Sequence, residues 1–208
     1  MPGPDSIQKR QEELAQRQWP IADIEARFNR LAQNGIPHKT PDREKMLRDR
    51  EEILDRVQRR AEDYCYLMRN CAKSSATALF EEFGLGSLDI IRGLGPFPGL
   101  AMSGGICGPV AGGLIALGLF FSHPDITKQD DTGAYLYGRL FIHRFESAFG
   151  SLSCPDIQKR LLGKYYDPMS SMENLKAFNA SGARKQCVIA PGMGARIAAE
   201  IMLESMAK

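Results

Sequence analysis

The sequence predicts an all-α protein, a helical bundle with short connections and an N-terminal helical arm. Three observations carry this. No apolar–polar alternation runs beyond about four residues, so no half-buried strand is expected. Apolar residues instead recur at helical spacing along most of the chain. Glycines and prolines fall between these segments, where helices end and begin. The 208 residues are 43% apolar and 25% charged, enough to bury a core without covalent staples.

Residues 1–36 are polar, with Ile21, Ile24, Phe28 and Leu31 on one helical face and Gly35 as terminator. Thr40-Pro41-Asp42 reads as a helix start, with Thr40 as cap and Pro41 in the first turn. From Asp42 to Phe83 almost nothing breaks a helix, so one long helix or two in series are expected. The pairs Glu44 with Arg48 and Asp55 with Arg59 lie at four-residue spacing on its solvated side. Gly84 and Gly86 end it. A short helix is expected within 87–95, then a loop forced by Pro96 and Pro98. A buried helix follows from about Pro109 to Phe121, then helices over 130–149, 155–162, 172–178 and 191–207. Residues 1–60 form the arm and 61–208 the main domain.

The apolar stretch Ile106–Phe121 is shorter than the ~20 residues that span a bilayer, and Pro109 and glycines interrupt it. No membrane span is expected. The net charge of +2 points to no nucleic acid. Met1 to Arg10 is polar and lacks the apolar run of an export signal, so the expected compartment is cytoplasmic. The amphipathic arm suggests a homodimer.

The chemistry lies in the cysteines. There are five, Cys65, Cys71, Cys107, Cys154 and Cys187, an odd number that argues against a disulfide framework. Cys107 precedes Gly108-Pro109, Cys154 precedes Pro155, and Cys187 lies just ahead of Pro191. Proline favours the first helical turn, so these thiols belong at or near helix N-termini, where free N–H groups and the helix dipole favour the thiolate. Cys71 is read as lying within a helical pattern. Cys65, six residues earlier, would then occupy a different helix face and serve as a small apolar filler. No C-x-x-C occurs, which disfavours a thioredoxin dithiol and a zinc finger. No C-x-x-C-H occurs, which removes covalent haem. Thiols so dispersed can still converge in a folded bundle and suit an iron–sulfur cluster or zinc. In the segment Met102–Gly113, Gly104 and Gly105 would let backbone approach a bulky centre, while Gly112 and Gly113 would let a helix pack closely.

Four segments resemble the C_GCAxxG_C_C family, whose members are designated redox-active proteins. They are Asn70-Cys71-Ala72, Glu81-Glu82-Phe83-Gly84-Leu85, Cys107-Gly108-Pro109-Val110-Ala111-Gly112 followed by Leu114 to Leu119, and Phe149-Gly150-Ser151-Leu152-Ser153-Cys154. Cys187, ahead of Ala198-Ala199-Glu200-Ile201, matches the family's fourth cysteine. The same domain type resembles the iron–sulfur part of split-Soret cytochromes. The resemblance covers roughly Asn70 to Leu203. It implies a helical domain with Cys71, Cys107, Cys154 and Cys187 as ligands of an iron–sulfur cluster, [4Fe–4S] or [2Fe–2S]. Pro109 departs from the usual alanine, which suits a helix start.

The expected function is electron transfer, or a subunit of an anaerobic oxidoreductase system, with a redox partner protein or a small-molecule substrate. The alternatives are a metal-free thiol–disulfide enzyme, an Fe–S enzyme with an open iron site acting as Lewis acid, and a structural subunit docked through residues 1–60. His38, His123 and His143, and Arg92, Arg139 and Arg144, are further candidates near the centre, each more ordinarily structural. Tyr135 and Tyr137 read as core or rim.

Overall fold

The computed structural model describes residues 4–38, 42–125, 127–128 and 130–207. Among these residues the fold is all-α, with no strand and one isolated antiparallel bridge, Ile106 with Ser153. In chain order the helices are α1 (Pro4–Ala15), α2 (Ile21–Asn34), α3 (Arg43–Arg48), α4 (Arg50–Met68), α5 (Cys71–Phe83) and α6 (Leu88–Gly93). They continue with α7 (Gly99–Met102), α8 (Gly108–Phe121), α9 (Thr132–Phe149), α10 (Cys154–Leu162), α11 (Met172–Ala180), α12 (Ala183–Gln186) and α13 (Ile189–Met206).

The sequence between 42 and 83 makes three helices. Asp42 caps α3 by accepting the Lys45 N–H, while Thr40 and Pro41 lie outside the described residues. The chain turns again at Arg69, in the left-handed region at φ 54°, and Asn70 then caps α5 by accepting the Lys73 N–H. Every residue in this stretch suits a helix, so composition does not reveal the breaks. A competing side-chain cap makes the second one. α1 and α12 were also not foreseen, because neither carries a regular apolar stripe.

The core forms where α5, α8 and α13 meet, with α4 on α5 and α13, and α9 on α8 and α13. α5 is lined by small residues, and its buried hydroxyls return their protons to the backbone: Ser74 to Asn70 O and Thr77 to Lys73 O. With no polar group left over, the helix presents a smooth face for close approach. α8 supplies the complement. A Cβ on Gly112 would lie 2.5 Å from the Ala72 carbonyl oxygen, and one on Gly113 would collide with the Phe141 ring. The expectation that this pair serves tight helix packing is met. Gly35, Gly84, Gly150 and Gly163 end α2, α5, α9 and α10 as expected.

α1 packs on α12 and α13. It is tied to the core through Glu62 of α4, which is fully buried and accepts from Arg10 Nε and Arg17 Nη1, both at 2.8 Å. The Glu44–Arg48 pair is present at 3.9 Å, whereas Asp55 pairs with Arg196 of α13. Glu62→Ala is expected to cost about 3 kcal/mol in urea unfolding, the low end for breaking a buried ion pair, because Arg10 and Arg17 retain some solvent. An unchanged unfolding midpoint would show that the arm is not held by this group.

Candidate functional site: a cavity ringed by thiols

All five cysteines line one cavity of about 460 Å³. Each reaches it by its own piece of local structure. Cys107 caps α8, with Pro109 in the first turn, and Cys154 opens α10 behind the Ser153 cap. The two are held side by side by main-chain bonds. Cys107 N–H donates to Leu152 O at 2.8 Å, and Cys154 N–H donates to Gly105 O at 2.9 Å. These bonds flank the Ile106–Ser153 bridge, so the pairing of two short segments sets the thiol positions.

Cys71 is the first residue of α5, not an interior helical residue. The Asn70 cap starts a new helix there, so Cys71 shares the helix-start environment of Cys107 and Cys154. Its thiol packs at the beginning of α8, where a Cβ on Gly108 would collide with Cys71 Sγ and come within 2.8 Å of the Ala72 N. Cys187 follows α12, two residues before α13 begins. Three helix starts, with the approach to α13 after Cys187, thus border one space, where free N–H groups and positive dipole ends favour negative charge.

Cys65 is the correction that matters most. The reading that separated it from Cys71 assumed one continuous helix, and the break at Arg69–Asn70 removes that premise. Cys65 closes the last turn of α4, where its carbonyl accepts the Arg69 N–H, and it lines the same cavity as the other four.

The glycines ahead of Cys107 also differ from expectation. Leu100 fills the space beside Gly105, and Pro155 lies beside Gly104, so neither opens the backbone to a bulky centre. Gly104, at φ +86°, instead permits the turn. Leu100, Ala101 and Met102 follow Gly99 in the left-handed region, a strained turn for L-residues. Gly99 stands against Cys154, where an added Cβ would lie 3.4 Å from Sγ.

Apolar walls come from Ile157, Leu161, Phe178 and Ala190, and the polar lining from Arg69, Gln158, Asn179 and Arg184. Among the described residues no carboxylate lines the cavity. Gln158 donates from Nε2 to Cys154 Sγ at 3.6 Å and is itself oriented by the Tyr166 N–H. Arg184 lies over the Tyr66 ring at 4.3 Å and donates from Nε to Tyr66 O. Tyr66 in turn stacks on Trp19 at 4.1 Å. Of the candidate histidines and arginines, none lines the cavity. His38 and His143 are exposed, His123 accepts the Asp125 N–H, and Arg144 pairs with Glu204. The arginines that do, Arg69 and Arg184, follow no motif in sequence and are brought there by helix ends.

The thiols differ in acidity. Hydrogen bonding to Cys154 and Cys71, then burial, pushes the Cys107 thiol well up. Hydrogen bonding from Cys107 draws Cys154 down to about 7 against the opposing effect of burial, with Gln158 assisting. Burial raises Cys187, and the charges of Cys71 and Cys154 add to it. Cys65 is raised by burial and by Cys71 and Cys187. In the reduced, metal-free chain, iodoacetamide should therefore modify Cys154 first. Its rate should climb as pH rises through about 7, where the thiolate forms, and then level off, as peptide mapping would show. A rate still rising steeply above pH 8.5, roughly the range of an ordinary cysteine, would contradict the Cys107–Cys154 coupling.

Among the described residues no group of three or more His, Cys, Asp or Glu side chains is arranged to hold a metal ion as it stands. The thiols ring a space rather than converge on a point. Soft sulfur donors on several sides of a cavity, without competing carboxylates, fit a thiolate-bound centre of several atoms.

The sequence model of a family described as "Putative redox-active protein (C_GCAxxG_C_C)" matches residues 69–201, more than half of the chain. No curated protein and no solved structure gives a significant match. No helix among the described residues is long and apolar enough to cross a membrane.

Proposed function

The chain belongs to the C_GCAxxG_C_C family, and we propose that it is an iron–sulfur electron carrier in which Cys71, Cys107, Cys154 and Cys187 hold the cluster. One observation carries this reading. Four cysteines far apart in sequence line a single cavity, three of them at helix starts and Cys187 between α12 and α13. A cluster held there would supply one-electron storage. The chain's own residues account for the rest. Helix N-termini, Arg69 and Arg184 offset negative charge on the thiolates. Gln158 donates to Cys154 Sγ, a contact that tunes a ligand's electron density. Ile157, Leu161 and Phe178 limit water. The test is anaerobic purification or reconstitution, followed by iron and acid-labile sulfide analysis with EPR. Iron and sulfide in comparable amounts, with visible charge-transfer absorption, are expected. A colourless protein free of iron would overturn the reading.

A second reading has its own observation, the Cys107–Cys154 pair aligned by the Ile106–Ser153 bridge. As a metal-free thiol–disulfide enzyme, Cys154 thiolate would attack a partner disulfide. Cys107 would resolve the mixed disulfide, leaving an internal Cys107–Cys154 bond and two partner thiols. In that case free thiols titrated before and after reduction would differ by two per chain, as expected for one disulfide.

A further inference from the structure

Main-chain geometry groups three of the thiols, Cys71, Cys107 and Cys154. The main-chain bonds around Ile106–Ser153 and the contact of Cys71 with Gly108 fix these three at the junction of α5, α8 and α10. The two remaining thiols come from other helix ends, Cys65 from the last turn of α4 and Cys187 from the end of α12, and both line the same cavity. The chain therefore offers the cavity three fixed thiols and two more, either of which completes a set of four.

We propose that Cys65 is a fifth, reserve ligand of the centre, sharing with Cys187 the one position that Cys71, Cys107 and Cys154 leave open. This rests on the iron–sulfur reading of the cavity. Cys65 lies outside the four-cysteine pattern that the family match describes, and the Arg69–Asn70 break alone carries it to the site. Its thiol is buried, so it is protected from chance oxidation. On taking the position it would lose its proton, as any cysteine ligand does. Cys187 has looser local support: the four-residue α12 precedes it, and the left-handed Gly182 precedes α12. A ligand on such a short element can leave at small cost, and a second thiol then prevents the iron from being lost.

The test is the iron and sulfide content, with EPR, of reconstituted full-length Cys187→Ala, Cys65→Ala and the double variant. Alanine is used because a serine oxygen can itself ligate iron. Each single variant is expected to keep nearly the iron of the parent chain, and Cys187→Ala should keep a thiolate-type spectrum. The double variant should lose most of the iron while circular dichroism reports unchanged helix content. Should the double variant prove unfolded, Cys65→Val with Cys187→Ala takes its place, since valine fills the volume of the buried thiol and offers no ligand atom. Loss of iron in Cys187→Ala alone overturns the inference and leaves the four-ligand reading standing. Retention of iron in the folded double variant also overturns it, and shows that three cysteines suffice with an open iron position. A parent chain without iron overturns both readings together.

Discussion

Cys107→Ala should lose its iron and sulfide, and the visible absorption that goes with them, while staying folded. Cys107 stands between the start of α5, where Cys71 packs on Gly108, and the bridge that aligns Cys154, so its removal takes one of the three fixed thiols. No further cysteine stands behind it to compensate, because Cys65 and Cys187 are assigned to the fourth position. The fold should survive because the start of α8 does not depend on this side chain. Pro109 presets the first turn, and the bond from Cys107 N–H to Leu152 O belongs to the main chain. Loss of a 5%-exposed thiol costs little packing next to a cavity that already exists. The measurements are iron per chain and the circular dichroism spectrum. A folded Cys107→Ala protein with a full complement of iron would sink the proposed ligand set. Cys71→Ala and Cys154→Ala should behave alike.

The second large effect concerns two glycines of one helix. Gly112→Ala should destabilise the protein by about 1–3 kcal/mol or more, the range for overpacking a close contact. The added Cβ would meet Ser75 Oγ and lie 2.5 Å from Ala72 O. The carbonyl belongs to α5 backbone, so relief requires α5 and α8 to move apart. Cys71 and Cys107 stand at the starts of those helices, so the same movement should lower iron retention. Gly118→Ala should do the opposite. No atom lies within 4 Å of its added Cβ, and replacing a helical glycine gains about 0.5–1 kcal/mol. Urea titration should show the two midpoints shifted in opposite directions with similar slopes. Equal shifts would mean that α5 and α8 are not in contact at Gly112.

Much of the fold was legible because its punctuation is local. Gly35, Gly84, Gly150 and Gly163 each end a helix by adopting positive φ, a property of the residue itself. Pro109 and Pro155 mark the starts of α8 and α10 for the same kind of reason. The failures share a different cause. Met68 to Cys71 reads as helix throughout, and only the choice of the Asn70 side chain to bond the Lys73 N–H breaks it. That one event reassigns Cys71 to a helix start and brings Cys65 into the cavity. Leu100 beside Gly105 likewise could not be foreseen, since the left-handed turn at Leu100–Met102 follows no residue preference.

The sequence by itself determined that the protein is helical, where most of its helices stop, and that at least three thiols lie near helix N-termini. Those properties depend on neighbours along the chain. Only the tertiary structure decided that all five cysteines share one cavity, that three of them meet where α5, α8 and α10 begin, and that Arg69 and Arg184 supply its polar edge in place of Arg92, Arg139 or Arg144. These arrangements depend on how closely α5 and α8 pack across Gly112 and on the bridge that aligns Ile106 with Ser153. Contacts between residues so far apart in the chain leave no periodic trace in it.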